Sequence, residues 1–477
     1  MRLSISLILT LGLLACSSTK GDSSPKSDPA QTAPATAPPL TPIVGPSELQ
    51  DENPDPKIVE VSLRAEAASI ELSSGHTTKV LAYNGQIPGP LLHARVGDRV
   101  IVHFTNGLAE ATTVHWHGLR ISSDMDGTPR VQEPIAPGGT FTYEFVVPDA
   151  GTYWYHPHLN TIEQIDRGLY GPIVIEEKEP PRFTAERLFV LDDIRLDASY
   201  QIAPYGDDMD MMMGRFGNKL LLNGRSDLAS GTAQRGGIER WRLINAAGAR
   251  VMDVAIEGAS FRVVGADGGL LPQAYATKRL SLAVGQRYDV EVTYDQDAAT
   301  QVKLVAYVLA DNGNGGTVEK SMPLAALDFD GTTSIDAPSY PEVTLPELVS
   351  DATQKQLRLG MMQDAAGHMM MTINGKDGMT LPMAEFNEGQ AVRFSIVNDD
   401  MMHFHPFHLH GNFFQIVSRN GKASKEPGLK DMALINPSET VVIETHFENP
   451  GQWMYHCHIA EHAEHGMMAE LMVHASP

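Results

Sequence analysis

One short pattern occurs three times along this chain, and it limits the fold more than any other feature. Asn84-Gly85 is followed by Gly97 and Asn106, Asn223-Gly224 by Gly236-Gly237 and Asn245, and Asn374-Gly375 by Gly389 and Asn398. Between each later glycine and its asparagine lie Val100 to Phe104, Trp241 to Ile244 and Val392 to Val397. These runs are short, β-branched or aromatic, and bounded by turn residues, as half-buried strands are. The repeats start about 140 and 150 residues apart, the size of a domain rather than of a solenoid turn. Helical periodicity is scarce. The expectation is an all-β chain of three consecutive antiparallel β-sandwich domains, at residues 56–180, 181–342 and 343–477.

The 477 residues suit three such units. A formal charge of −23 argues against nucleic acid, whose phosphates attract basic surfaces. Residues ahead of the repeats read differently. Arg2 precedes an apolar run from Leu3 to Leu14, of signal-peptide length. That run ends in Leu13-Leu14-Ala15-Cys16, which resembles the lipobox of bacterial lipoproteins. Residues 1–15 are therefore expected to be a cleaved signal and Cys16 a lipidated anchor. Residues 16–55, rich in Ser, Pro, Ala and Thr, are expected to form a tether. On this reading the protein is an exported monomer facing the periplasm or cell surface. Its contact with the membrane is through the lipid anchor only, and Ser17 after the cysteine favours the outer membrane.

Four His-x-His pairs occupy the first and third units: His115/His117, His156/His158, His408/His410 and His456/His458. On a strand such a pair puts both imidazoles on one face, because side chains alternate with period two. One pair is weak evidence of a site, but four make accident untenable, and imidazoles at this density suit copper, zinc, iron or nickel. The middle unit has no such pair and reads as a structural spacer.

Cysteine usage chooses among the metals. The chain has two cysteines; with Cys16 assigned to the anchor, Cys457 has no disulfide partner and sits between two histidines. His405 precedes the third pair, His462 follows Cys457 and Met467 follows His462. One thiolate, two imidazoles and a thioether make the trigonal His₂Cys site with a weak axial Met that characterises blue copper. Zinc does not need the methionine. Alternation then turns Cys457 to one side of its strand and His456 and His458 to the other, so an electron reaching the blue site can cross through one residue's backbone.

The strings HWHG at 115–118, HPH at 156–158, HPFHLHG at 405–411 and HCHIAEHAEHGM at 456–467 resemble those of multicopper oxidases such as laccases and cuprous oxidases. The resemblance covers nearly all of the chain beyond the tether. It implies three cupredoxin domains in series and four copper ions, with dioxygen and a small reducing substrate as partners. Carried over by position, His405, Cys457 and His462, with Met467 axial, would hold the type 1 copper. His115 and His408 would hold the type 2 copper. His117, His156, His158, His410, His456 and His458 would hold the coupled type 3 pair. Asp126 matches the acidic residue that the family places near the type 2 copper, a catalytic proton relay. A second family relay position follows the type 1 histidine directly and is Ala463 here; Glu464 stands next to it.

For the substrate, the 22 methionines are informative, because thioethers are soft ligands that favour Cu(I). They cluster at Met209 and Met211–Met213, among Asp207, Asp208 and Asp210, and again at Met361–Met362, Met369–Met371 and Met401–Met402. This favours Cu(I) oxidation in copper tolerance over laccase-like oxidation of phenols and aromatic amines. A non-catalytic copper-binding protein would show gaps in the ligand set, and there are none.

Overall fold

A computed structural model describes residues 40–295, 300–311, 317–363 and 367–476. The expected signal segment, residues 1–15, and Cys16 lie outside the described residues. From Pro39 to Pro477 the chain forms one compact unit. It consists of three two-sheet sandwiches, each around its own apolar cluster. A fourth cluster, including Leu72, Trp154, Leu188 and Ile244, seals the first sandwich to the second.

The repeated residues mark structurally equivalent corners. Asn84-Gly85, Asn223-Gly224 and Asn374-Gly375 all have positive φ at both positions, the backbone of a type I′ hairpin turn, for which Asn-Gly is the favoured pair. Each turn asparagine accepts a hydrogen bond at Oδ1 from the first strand of its domain: Arg64 N at 2.7 Å, Val190 N at 2.7 Å and Arg358 N at 2.9 Å. The second asparagines close the following loops with Nδ2, which donates to Glu110 O (2.8 Å), Arg250 O (2.8 Å) and His403 O (2.7 Å). A polar corner that satisfies backbone groups in the same way three times is what the sequence repeat encodes.

Within each sandwich most pairs are antiparallel, but the equivalent long strands run parallel. Ile58–Ser73 pairs with Arg99–Asn106, Ala185–Ile194 with Ile238–Asn245, and Thr353–Gln363 with Ala391–Asn398. The sheets are thus mixed rather than purely antiparallel, because the chain leaves for a hairpin and returns beside its first strand.

The tether reading needs correction at its C-terminal end, where residues within 16–55 lie on the folded surface. Ile43–Val44 adds a parallel strand to Glu186–Arg187, Thr41 N donates to Glu176 Oε1 at 2.6 Å, and Leu91 N donates to Ser47 O. Ile43 and Leu49 supply the apolar contacts that composition alone obscured. Three short helices complete the elements that matter below: α1 (Thr161–Asp166), α2 (Asp208–Met213) and α3 (Ala460–Glu464).

Candidate metal centres

In the first domain His115–His117 pairs antiparallel with Gly151–His156, with His115 opposite His156. In the third, His405–Leu409 pairs with Gly451–Cys457, with His408 opposite His456. The two motif-bearing pairs meet, and eight imidazoles converge between the domains, all buried. His410 Nε2 lies 3.1 Å from His456 Nε2, His158 Nε2 3.4 Å from His456 Nε2, and His117 Nδ1 3.2 Å from His458 Nε2.

The outer nitrogens of five of them are already committed. Nδ1 of His115 donates to Asp126 O (2.8 Å), His156 to Pro157 O (2.9 Å), His408 to Asp431 O (3.0 Å) and His456 to Cys457 O (2.8 Å). Nδ1 of His410 donates to Asp126 Oδ2 at 2.9 Å. A neutral imidazole has one N–H, so these bonds fix the tautomer and turn the Nε2 lone pairs inward. Nε2 of His115, His156 and His408 is buried without a hydrogen-bond partner. Burial pushes the pKa values of His117, His156, His158, His408 and His456 well below the usual imidazole range, and that of His458 down to about 3. Buried lone pairs facing one another are a poor protein core and a good metal site. Sets such as His115/His408/His410 and His158/His410/His456 keep their ligand atoms within 4.8 Å of one another.

The second site lies on the other side of the Gly451–Cys457 strand. Cys457 Sγ is 3.6 Å from His405 Nδ1 and 3.5 Å from His462 Nδ1, and those nitrogens are 3.3 Å apart. A triangle of this size admits an ion at about 2.0–2.3 Å from each atom, the range of metal–nitrogen and metal–thiolate bonds. Met467 is buried in the same apolar cluster, and its carbonyl accepts from Cys457 N. Burial pushes the Cys457 thiol far up, so a metal must displace its proton. Burial also holds His462 down to about 4.

Asp126 joins the domains by accepting from His410 of the third while its carbonyl accepts from His115 of the first. Burial raises its carboxyl, but the N–H groups of His410 and His115 more than offset that and hold it well below the usual range. Two neighbours, Asp431 and Trp154, carried no sequence signal. Asp431 Oδ1 lies 3.3 Å from His117 Nε2, and Trp154 packs against His117, His156 and His458. His403, two residues before His405, pairs with Asp400 through Nδ1 at 2.5 Å and meets Met213 Sδ through Nε2 at 2.9 Å. Its alternation with His405 could have pointed to it.

The methionine clusters divide. Met371 is core, whereas α2 lies over the cysteine site, where Met212 O accepts from His462 Nε2 at 3.1 Å. Asp210 is taken by Arg195 and Arg215, and Asp207 caps α2 through Met209 N. Met361, Met362 and Met401 line a cleft of about 340 Å³ with Asp399 and Asp400. Glu464 is occupied as well: its Oε1 accepts from Thr161 Oγ1 (2.6 Å) and Ile162 N (3.2 Å) at the start of α1. Beside it, a cavity of about 380 Å³ reaches His156, His158 and His456.

Cupredoxin-like sandwiches holding a His₂Cys triangle and an eight-histidine cluster define a copper-dependent oxidoreductase. Family models described as multicopper oxidase match residues 64–180, 199–328 and 349–477. A multicopper oxidase of Mycobacterium tuberculosis is 33% identical over 454 residues, covering 87% of each chain. Among solved structures, the Campylobacter jejuni multicopper oxidase, described as a metallo-oxidase, is 28% identical with TM-score 0.78, covering 93% of this chain and 97% of its own. A laccase from Pediococcus acidilactici is 28% identical with TM-score 0.78, covering 92% and 95%. The chain belongs to the multicopper oxidase family, whose members use oxygen to oxidise a reducing substrate.

Proposed function

We propose that this enzyme oxidises cuprous ion and passes the electrons to dioxygen. His405, Cys457 and His462, with Met467 axial, would hold a type 1 copper. His115 and His408 would hold a type 2 copper, and His117, His156, His158, His410, His456 and His458 a type 3 pair. The four bound coppers would supply single-electron transfer at the first site and four-electron reduction of dioxygen to water at the second.

The residues around them have separable tasks. His456 Nδ1 donates to the carbonyl of Cys457 itself, so backbone and hydrogen bond both link the two sites. Asp126 stays ionised beside His410 and His115, and is placed to orient both rings. The cavity beside His156, His158 and His456 is a path for dioxygen and water.

The observation that carries the substrate is the cover over His462. Both His405 and His462 are buried, and the outer N–H of His462 is spent on Met212 O. A planar phenol has no open imidazole edge to approach. The thioether of Met213, against His403 and backed by Asp400, offers the soft donor and negative charge that a cuprous ion needs. Oxygen uptake with Cu(I) and with a phenol should separate the readings. Met213→Leu is expected to lower Cu(I) turnover at least tenfold and to leave phenol turnover unchanged or raised. Unchanged Cu(I) turnover in Met213→Leu would refute Met213 as the donor to cuprous ion, and phenol turnover without Cu(I) turnover in the unaltered enzyme would refute the cuprous substrate. Export and lipidation at Cys16, which rest on the lipobox-like string and the linker composition, are proposed alongside; labelling with a radioactive fatty acid should fail in Cys16→Ala.

A further inference from the structure

The middle domain has no histidine pair, yet it closes one wall of the cluster. Gly285 has φ +82°, and a Cβ there would lie 3.0 Å from His117 Cε1 and 3.1 Å from His458 Cδ2. Two residues on, the fully buried Arg287 uses its whole guanidinium. Nε donates to Thr152 O at 3.0 Å. Nη1 donates to Gly285 O at 3.1 Å and Asp431 Oδ1 at 2.6 Å. Nη2 donates to Asp267 O at 2.9 Å and Asp431 Oδ2 at 2.6 Å. All five donors of the side chain are satisfied, by residues from each of the three domains.

Asp431 carries the effect to the cluster. Its Oδ1 accepts from His117 Nε2, and its backbone carbonyl accepts from His408 Nδ1. His117 is reversed relative to His115, His156, His408, His410 and His456, because its outer partner is on Nε2 and its Nδ1 faces His458 Nε2. With the other tautomer, a lone pair would face the carboxylate. We propose that Arg287, acting through Asp431, is a positioning residue that fixes His117 with Nδ1 toward the cluster and makes cluster geometry depend on the middle domain. The bidentate clamp keeps Asp431 oriented, and the paired positive charge offsets part of the cost of burying it. Lysine would keep the charge but not the fork.

The inference rests on His117 being a copper ligand, so the experiment includes that variant as a control. Copper-loaded full-length Asp431→Asn, Arg287→Lys and His117→Ala would be compared after dialysis against a chelator. Copper per chain, blue absorption and the EPR spectrum would be measured. Asp431→Asn and Arg287→Lys are expected to keep the blue absorption and to bind cluster copper about 10–100-fold more weakly, as lost outer partners of metal ligands do. Extra EPR-active copper should appear as the pair uncouples. Full copper retention and an unchanged spectrum in both, with copper loss in His117→Ala, would overturn the clamp. Full retention in His117→Ala as well would instead overturn the ligand reading. If Arg287→Lys does not fold, the near-isosteric Asp431→Asn decides alone.

Discussion

The first and third domains present the same strand and histidine pair to the cluster, yet only the third has a site behind it. His156-Pro157-His158 and His456-Cys457-His458 occupy equivalent positions, and in each the first histidine donates Nδ1–H to the carbonyl of the middle residue. Behind the strand the third domain has His405, Cys457 and His462. At the matching places the first has Thr112, Pro157 and Ile162. There Thr112 Oγ1 donates to Gln164 Oε1 at 2.7 Å, a buried neutral pair in place of a metal triangle. The cluster is shared by two similar faces, while the His₂Cys triangle, the proposed entry point for electrons, comes from three differences on one of them.

The largest effect is expected from making the third domain resemble the first where they differ most. Cys457→Ser should abolish both the blue absorption and substrate oxidation, with copper still bound at the histidine cluster. A variant that remained blue would break the comparison at its centre.

Acid should show the same asymmetry in the metal-free protein. Burial holds His462 down to about 4, and His405 is also lowered, while the matching Thr112 and Ile162 do not titrate. Above about pH 6.5 the histidines are neutral in both folded and unfolded chains, so their full contribution is present. As pH falls from 6.5 toward 4, the unfolded chain binds protons that the folded one refuses, and stability drops. His458, at about 3, extends the window downward. Urea midpoints across pH 7 to 4 should fall for the metal-free protein, and less in His405→Gln/His462→Gln. Equal slopes would show that the third-domain triangle is not the source.

The smallest expected effect is on the quiet side. Thr112→Val keeps the shape but leaves Gln164 Oε1 without its donor, and should cost about 1–3 kcal/mol in denaturant unfolding. Blue absorption and copper content should be unchanged.

Much of this site was legible because ligand chemistry is local in sequence. His-x-His on a strand fixes a common face, and Cys457 between two histidines fixes opposite faces, whatever the rest of the chain does. The threefold Asn-Gly pattern was legible for a similar reason, since a type I′ turn with positive φ admits few residues. What sequence could not reveal was the middle domain's part. With no histidine pair it read as a spacer, yet α2 covers His462 and Arg287 reaches Asp431 beside the cluster. Arginine, aspartate and a backbone carbonyl are common everywhere, and only their convergence from distant segments gives them a role.

The sequence by itself therefore determined the histidine and cysteine motifs, the number of sandwiches and the side of the strand on which each of these side chains falls, because these follow from backbone alternation and turn geometry. Tertiary structure decided which nitrogen of most of these imidazoles faces inward, that α2 covers His462, and that all three domains share one guanidinium. Those depend on hydrogen bonds between residues far apart in the chain, and no local pattern records them.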